Sequence, residues 1–194
     1  MVASATDGVL RYADNKEIQQ NSVLLRGAAA NLIEHPDGRS VAVEILVAPA
    51  VVEANSTTRM VSIGEAHVRP GGSGLRQPRS QVALREAWLH NVLFNPSEAK
   101  IGLLLLLVCY AHLKSPCGRV SIALTNGRIS ELCAVTERSV NRAVVPWVES
   151  GALCRDRGGY EVRDPVRLNR HITDILRDVH ELCALDPWLN ETSP

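Results

Sequence analysis

The sequence of 194 residues predicts an α+β protein, with strands in its first third and helices with one short hairpin after them. Three observations predict this class. Apolar runs separated by turn residues fill residues 1 to about 70, and apolar stripes of helical spacing follow from residue 80. Two short helices with an N-cap residue are then followed by a Gly158-Gly159 pair, which is typical of the turn of a β-hairpin. We expect these elements to divide the chain into four parts: the N-terminal strands in residues 1–79, one helix in residues 80–95, the helix pair and hairpin in residues 96–170, and a C-terminal helix and tail in residues 171–194.

The N-terminal part predicts a β-hairpin around the segment His35–Arg39. Leu24–Glu34 and Ser40–Val47 are apolar runs, and the Pro-Asp-Gly sequence between them favours a tight turn. A further strand is expected at Arg59–Val68. The composition of Arg69–Gly74, with three glycines and a proline, predicts a loop or hinge.

Two helices are predicted in the middle of the chain. The first, over residues 80–94, carries an apolar stripe made of Val82, Leu84, Trp88, Leu89, Val92 and Leu93. Asn95-Pro96 breaks the chain, and Ser97 is placed to cap a second helix that runs to about Leu113. Its run Ile101–Tyr110 is too short to cross a bilayer, so we expect a buried helix.

A helix-turn-helix is predicted over Thr125–Val148. Apolar residues recur at helical spacing on both sides of Ala134-Val135-Thr136, and Thr136 is a suitable N-cap for the second helix. That helix ends at Gly151, which tolerates a left-handed cap. Two strands around Gly158-Gly159 follow and form a wing that carries Arg155 and Arg157.

The segment from Thr125 to Val162 resembles the DNA-binding domain of the Crp/Fnr family of bacterial transcription regulators. Leu124-Thr125 before the first helix, Thr136 opening the second and Arg142 six residues later match the family pattern, as does Glu149–Leu153. The resemblance implies a β-roll sensor domain, a connecting dimerisation helix and a C-terminal winged helix-turn-helix. The N-terminal strands resemble the β-roll loosely, over residues 10 to 68.

The sensor region departs from the members of the family that bind cyclic nucleotides. Those members place a Gly-Glu pair about ten residues before an Arg-Ser/Thr-Ala segment. Here Glu53 lies six residues before Arg59, and no Gly-Glu pair precedes it. We therefore expect no response to cyclic AMP and no cofactor. The first cysteine is Cys109, which argues against an N-terminal iron-sulfur cluster, and His35 and His67 are expected to be surface residues rather than haem ligands.

Composition fits a cytoplasmic protein. The 21 basic and 21 acidic residues balance, but residues 119–170 hold nine arginines against six acidic residues, a local excess that suits phosphate binding. The N-terminus shows no export signal, and no transmembrane segment is expected. Five widely spaced cysteines predict buried reduced thiols without a metal site. No glycine loop or nucleophile-base arrangement indicates an enzyme.

These observations predict a dimeric, sequence-specific regulator of transcription that binds double-stranded DNA. The candidate DNA-binding residues are Thr125, Thr136, Glu137, Arg138, Ser139, Asn141, Arg142, Arg155 and Arg157. The order Glu137-Arg138 reverses the family's arginine-glutamate order, so a different half-site is expected. A plasmid or phage replication or partition protein with the same winged module is the alternative. We expect the helix predicted after Asp164 to pack on the winged domain, with extension of the dimer or contact with a partner such as RNA polymerase as the alternatives.

Overall fold

The structure is a computed structural model that describes residues 10–12, 18, 21–53, 58–71, 76, 79–112, 120–122 and 124–176. Three features lie outside the described residues. They are the part of the predicted loop that follows Gly71, the cysteines Cys117 and Cys183, and the predicted tail after Leu176. The described part is mixed, with strands first and mainly helices after them, as the sequence predicts.

The N-terminal strands form one antiparallel sheet. The strands are β1 (Leu10–Tyr12), β2 (Ser22–Glu34), β3 (Ser40–Val47), β4 (Ala50–Val52) and β5 (Arg59–Pro70), in the order β1-β5-β2-β3 with β4 paired to the start of β2. The predicted hairpin is confirmed, since Glu34 pairs with Ser40 and the Gly38 amide donates to the His35 carbonyl at 2.9 Å. Arg69 and Pro70, expected in a loop, belong to β5 because they pair with the N-terminal end of β2.

Helix α1 (Arg79–Phe94) packs on the edge strand β3. The indole Nε1 of Trp88 donates to the Ala42 carbonyl at 2.8 Å, and the amide of Gln81 donates to the Ile45 carbonyl at 2.8 Å. The Val47 amide donates to the side-chain oxygen of Gln81 at 3.3 Å. These bonds cover an edge whose backbone groups would otherwise be unpaired.

The apolar stripe predicted on α1 is divided between two faces, which corrects the prediction of one stripe. Leu84 and Trp88 are buried against the sheet, whereas Val82 and Leu93 are 48% and 68% exposed on the opposite side of the helix. Trp88 turns inward because its indole N–H finds the Ala42 carbonyl there, as a buried indole requires.

Helix α2 (Ser97–His112) lies at the centre of the molecule. Ala99 and all residues from Ile101 to Cys109 are buried, as expected of a helix that is apolar on every side. Ser97 is the first helical residue rather than the cap, because the Pro96 carbonyl accepts from the Lys100 amide at 3.2 Å. The core around α2 is continuous from the sheet to the C-terminal helices.

The C-terminal region contains β6 (Val120–Ile122), α3 (Asn126–Cys133), α4 (Glu137–Glu149), β7 (Leu153–Asp156), β8 (Gly159–Val162) and α5 (Pro165–Leu176). The three strands form an antiparallel sheet in the order β6-β8-β7. The hairpin turn is Arg157-Gly158, one residue earlier than predicted, since Gly159 already pairs with Asp156. A Cβ on Gly159 would lie 2.4 Å from the Ile122 carbonyl oxygen, so only glycine lets β6 approach here. No helix among the described residues is long and apolar enough to span a membrane.

Candidate nucleic-acid interface

Threonine side chains cap both short helices of the C-terminal region. The Thr125 hydroxyl accepts from the Arg128 amide at 3.3 Å at the start of α3, and the Thr136 hydroxyl accepts from the Ser139 amide at 3.1 Å at the start of α4. Each hydroxyl satisfies an amide that has no partner within its helix. The predicted cap at Thr136 is thus confirmed, and Thr125 and Ser139 are fixed within the caps.

The turn between α3 and α4 depends on a left-handed alanine that the sequence did not reveal. Ala134 has φ 53° and ψ 45°, and its neighbour Val135 donates its amide to the Ser130 carbonyl at 3.0 Å. This is the Schellman arrangement, in which a residue beyond the helix end reaches back across the last turn. Glycine is the residue that usually marks a left-handed position, so an alanine there does not reveal the turn from the sequence.

Helix α4 buries one face and exposes another. Val140, Ala143, Val144 and Trp147 are buried, while Glu137 and Arg138 are exposed and Arg142 has a side chain that is 77% exposed. Arg142 lies 3.9 Å from Glu98, and Arg138 makes no ion pair with any residue that the structure describes. Val145, which was not among the predicted residues, is 42% exposed on the same face.

The β7–β8 hairpin lies beside this exposed face. Arg155 and Arg157 are exposed on it, and the hairpin, Thr125 and Asn126 line a cleft of about 230 Å³. Two side-chain hydrogen bonds join the hairpin to the helices: the Tyr160 hydroxyl donates to Asn126 on α3, and Arg155 donates to Asn141 on α4 at 3.3 Å. A third bond, from Asn126 to Asn141 at 2.9 Å, joins α3 to α4. The structure thus brings Asn141 and Arg155 together, and adds Asn126 and Tyr160, to which no sequence pattern points.

Burial raises the pKa of the Tyr160 hydroxyl above its usual value, although the nearby Arg155 charge and the bond to Asn126 lower it in part. The phenol is protonated at neutral pH, as tyrosine ordinarily is, and donates to the side-chain oxygen of Asn126.

The far end of α4 is held by α5. Gly151 has φ +77° directly after the cap residue Ser150, as the predicted glycine cap requires. The Arg167 guanidinium donates to the Ser150 carbonyl, and a cation at a helix C-terminus also offsets the negative end of the helix dipole. Leu168 and Ile172 are buried in the core that α5 shares with α2. The described part of the predicted C-terminal helix therefore packs on the domain.

The junction between the N-terminal sheet and α3 is polar. Arg59 Nε lies 2.9 Å from a Glu34 oxygen, and Arg59 Nη2 lies 3.7 Å from Glu131. Glu131 also bonds Arg128 within α3. A groove of about 750 Å³ lies alongside, between the β2–β3 hairpin and the α3–α4 turn.

In the described ranges no three or more histidine, cysteine, aspartate or glutamate side chains come together in a way that could hold a metal ion. Burial raises the pKa of Cys109 to about 12 and also raises the pKa of Cys133, so both thiols stay protonated and inert. His35 lies beside Asp37 and His67 beside Glu65, each two residues away. These are local contacts of side chains on the N-terminal sheet and its hairpin.

Comparison with known proteins identifies the fold. No protein-family model and no curated protein matches the sequence. Among solved structures, TTHB099, a CRP-family transcriptional regulator of Thermus thermophilus, superposes with a TM-score of 0.63 at 14% identity, over 84% of this chain and 95% of that one. TTHA1359, a CRP/FNR-family transcriptional regulator of the same organism, superposes with a TM-score of 0.62 at 10% identity, over 86% of this chain and 98% of that one.

FixK2 of Bradyrhizobium japonicum gives a TM-score of 0.61 at 16% identity, over 88% of this chain and 97% of that chain. The chain has the fold of Crp/Fnr regulators. The match extends over the N-terminal sheet as well as the C-terminal helices, since it covers most of both chains. At these identities the likeness is one of fold.

Proposed function

We propose that the protein is a Crp/Fnr-type transcription regulator that binds double-stranded DNA sequence-specifically, as a homodimer, without responding to cyclic AMP. The observation that carries the proposal is the exposed face of α4, where Arg138 and Arg142 lie beside a hairpin that presents Arg155 and Arg157. The shared fold with regulators of this type supports it.

In this proposal α3, α4 and the β7–β8 hairpin form a winged helix-turn-helix with α4 as the recognition helix. The α4 helix enters the major groove, where Arg138 and Arg142 contact guanine edges or phosphates and Glu137 contacts bases. Arg155 and Arg157 hold the backbone phosphates from the wing. The threonine caps and Ser139 lie at the helix starts, where amide groups favour phosphate.

The exposed face of α1 supports the homodimer. Val82, Leu89 and Leu93 recur at intervals of seven and four residues, which places them on one line along the helix. This line is opposite the buried Leu84 and Trp88, and Val82 and Leu93 are large exposed apolar side chains. A second copy of α1 would cover the line and place two recognition helices on the two halves of a palindromic site.

The arrangement around Arg59 supports the lack of a cyclic AMP response. A cyclic phosphate needs an unengaged arginine, but Arg59 is paired with Glu34 and Glu131 at the junction with α3. Apolar side chains form a second core in the sheet: Ile18, Leu24, Ala29, Leu46, Ala50, Val52, Met60, Ala66 and Val68. These side chains offer a charged ligand no hydrogen bonds or opposite charges to offset the cost of removing it from water.

Selection from a random duplex library tests the proposal, followed by fluorescence anisotropy on the selected site at several salt concentrations. We expect a palindromic motif, a binding stoichiometry of two chains per site and an affinity that falls as salt rises. Arg138→Ala should weaken binding by about 1–3 kcal/mol and relax one base position. Equal binding to every sequence would contradict the proposal, and so would tighter binding on addition of cyclic AMP. Directly repeated sites would favour a replication or partition role.

A further inference from the structure

The carbonyl oxygen of Asn141 accepts two hydrogen bonds from within the protein. Asn126 Nδ2 donates to it at 2.9 Å from the start of α3, and Arg155 Nη2 donates to it at 3.3 Å from β7. An amide oxygen has two lone pairs, so these two donors fill its acceptor capacity. The Nδ2 group of Asn141 makes no hydrogen bond with the described residues and is left for an outside partner.

The orientation of each amide follows from the chemistry of its neighbours. Arg155 has only donors, so the Asn141 atom that faces it must be the oxygen. Asn126 must then turn its NH₂ group to that oxygen, which leaves its own oxygen for the Tyr160 hydroxyl. A guanidinium at one end and a protonated phenol at the other thus fix both amides in one orientation.

Asn141 stands on α4 between Arg138 and Arg142, at the edge of the exposed face nearest the hairpin. We propose that Asn141 is a donor-only specificity residue, held in this state by Asn126, Arg155 and Tyr160, and that it selects guanine at one position of each half-site. This inference rests on the proposed DNA-binding function and adds the chemistry of one base contact.

The base preference follows from the edges of the bases in the major groove. An asparagine that pairs with adenine uses its oxygen for N6–H and its NH₂ group for N7. With the oxygen occupied, Asn141 cannot make the first of these bonds, and its NH₂ group would oppose the adenine amino group. Guanine presents two adjacent acceptors, N7 and O6, whereas thymine presents only O4 beside its methyl group, so guanine is the base that best suits an NH₂ group alone.

Library selection with the full-length protein and a set of variants tests this inference. We expect Asn141→Ala to lose roughly tenfold discrimination in favour of guanine at one position and to keep the others, in line with the usual strength of one base contact. Asn126→Ala frees one lone pair of the Asn141 oxygen and should shift the same position toward adenine. Asn95→Ala, which removes an amide pair at the α1–α2 junction, is the matched control and should change no position.

Thermal unfolding identifies variants that do not fold. If Asn126→Ala is one of them, Arg155→Ala carries the same test, because it removes the other donor to the Asn141 oxygen. The readout is the base preference at that one position, which the loss of a phosphate contact does not change. Adenine at the position that Asn141→Ala affects would overturn the inference, and so would a motif that Asn141→Ala leaves unchanged. A wild-type protein that selects no motif would overturn the proposed function as well, so the two failures can be told apart.

Discussion

Helices α2 and α5 are in close contact at Gly102 and Ile172. The effect of Gly102→Ala on stability should therefore change sign with the residue at position 172. A Cβ on Gly102 would lie 2.8 Å, 3.0 Å and 3.2 Å from the Cγ1, Cγ2 and Cδ1 atoms of Ile172, which is fully buried. Overpacking of this kind costs about 1–3 kcal/mol, and the helix propensity of alanine over glycine returns about 1 kcal/mol. We expect Gly102→Ala to lower the free energy of unfolding by about 1 kcal/mol.

Truncation of Ile172 should reverse the effect. Ile172→Ala removes all three clashing atoms and itself costs about 2–5 kcal/mol through the cavity that it leaves. In that background the Cβ at residue 102 meets no side chain of residue 172 and fills part of the cavity, so Gly102→Ala should stabilise by about 1 kcal/mol. Ile172→Val is the control, since valine keeps both γ carbons and with them the two shortest contacts.

The assay is urea denaturation of the single and double variants and the parent, followed by tryptophan fluorescence. The double-mutant cycle gives the coupling between the two positions. If Gly102→Ala has the same effect in the parent and in the Ile172→Ala background, the two helices do not touch here and the packing of α5 on α2 is wrong.

Three further predictions concern single positions. Ala134→Gly should raise the melting temperature by about 1–4 °C in calorimetry, because removal of the left-handed strain outweighs the greater backbone entropy of glycine; a decrease would mean that the turn is not left-handed. Burial raises the pKa of Glu44 in spite of the opposing charge of Arg85, so the folded state disfavours its ionised form. Stability is then lost as pH rises above the usual glutamate pKa, and Glu44→Gln should stabilise at pH 8 but not at pH 4 in urea denaturation; an equal effect at both pH values would contradict this. In mass-spectrometric mapping of iodoacetamide labelling at pH 8, Cys154, which is half-buried, should react well before Cys109, whose pKa burial raises to about 12.

Much of the fold could be predicted from local sequence patterns. The hairpin around Gly38, the helix break at Pro96 and the cap at Thr136 depend on residues whose backbone preferences act locally. The short strands β1, β4 and β6 were missed, because three residues carry no periodic signal and their pairing partners are distant in sequence.

The candidate site was predictable in its residue types but not in its connections. The arginines of α4 and the hairpin follow from exposed positions on capped elements. Asn126 and Tyr160 could not be found, because their role depends on a contact with Asn141 that spans three elements. The position of Trp88 was likewise undecidable, since an apolar stripe does not say which neighbour covers it. The domain boundaries predicted from the sequence stay a prediction, since one core runs through both regions.

The central claim is that α4 reads DNA in a sequence-specific manner, and equilibrium binding of one variant pair tests it most directly. Arg138→Ala and Arg163→Ala each remove one exposed arginine, the first on α4 and the second after β8, where Arg163 pairs with Glu161. On the selected site at fixed salt, Arg138→Ala should weaken binding roughly tenfold or more and Arg163→Ala should leave it nearly unchanged. Equal losses for the two variants, matched by equal losses on random DNA, would show that binding depends on charge alone and would contradict the account.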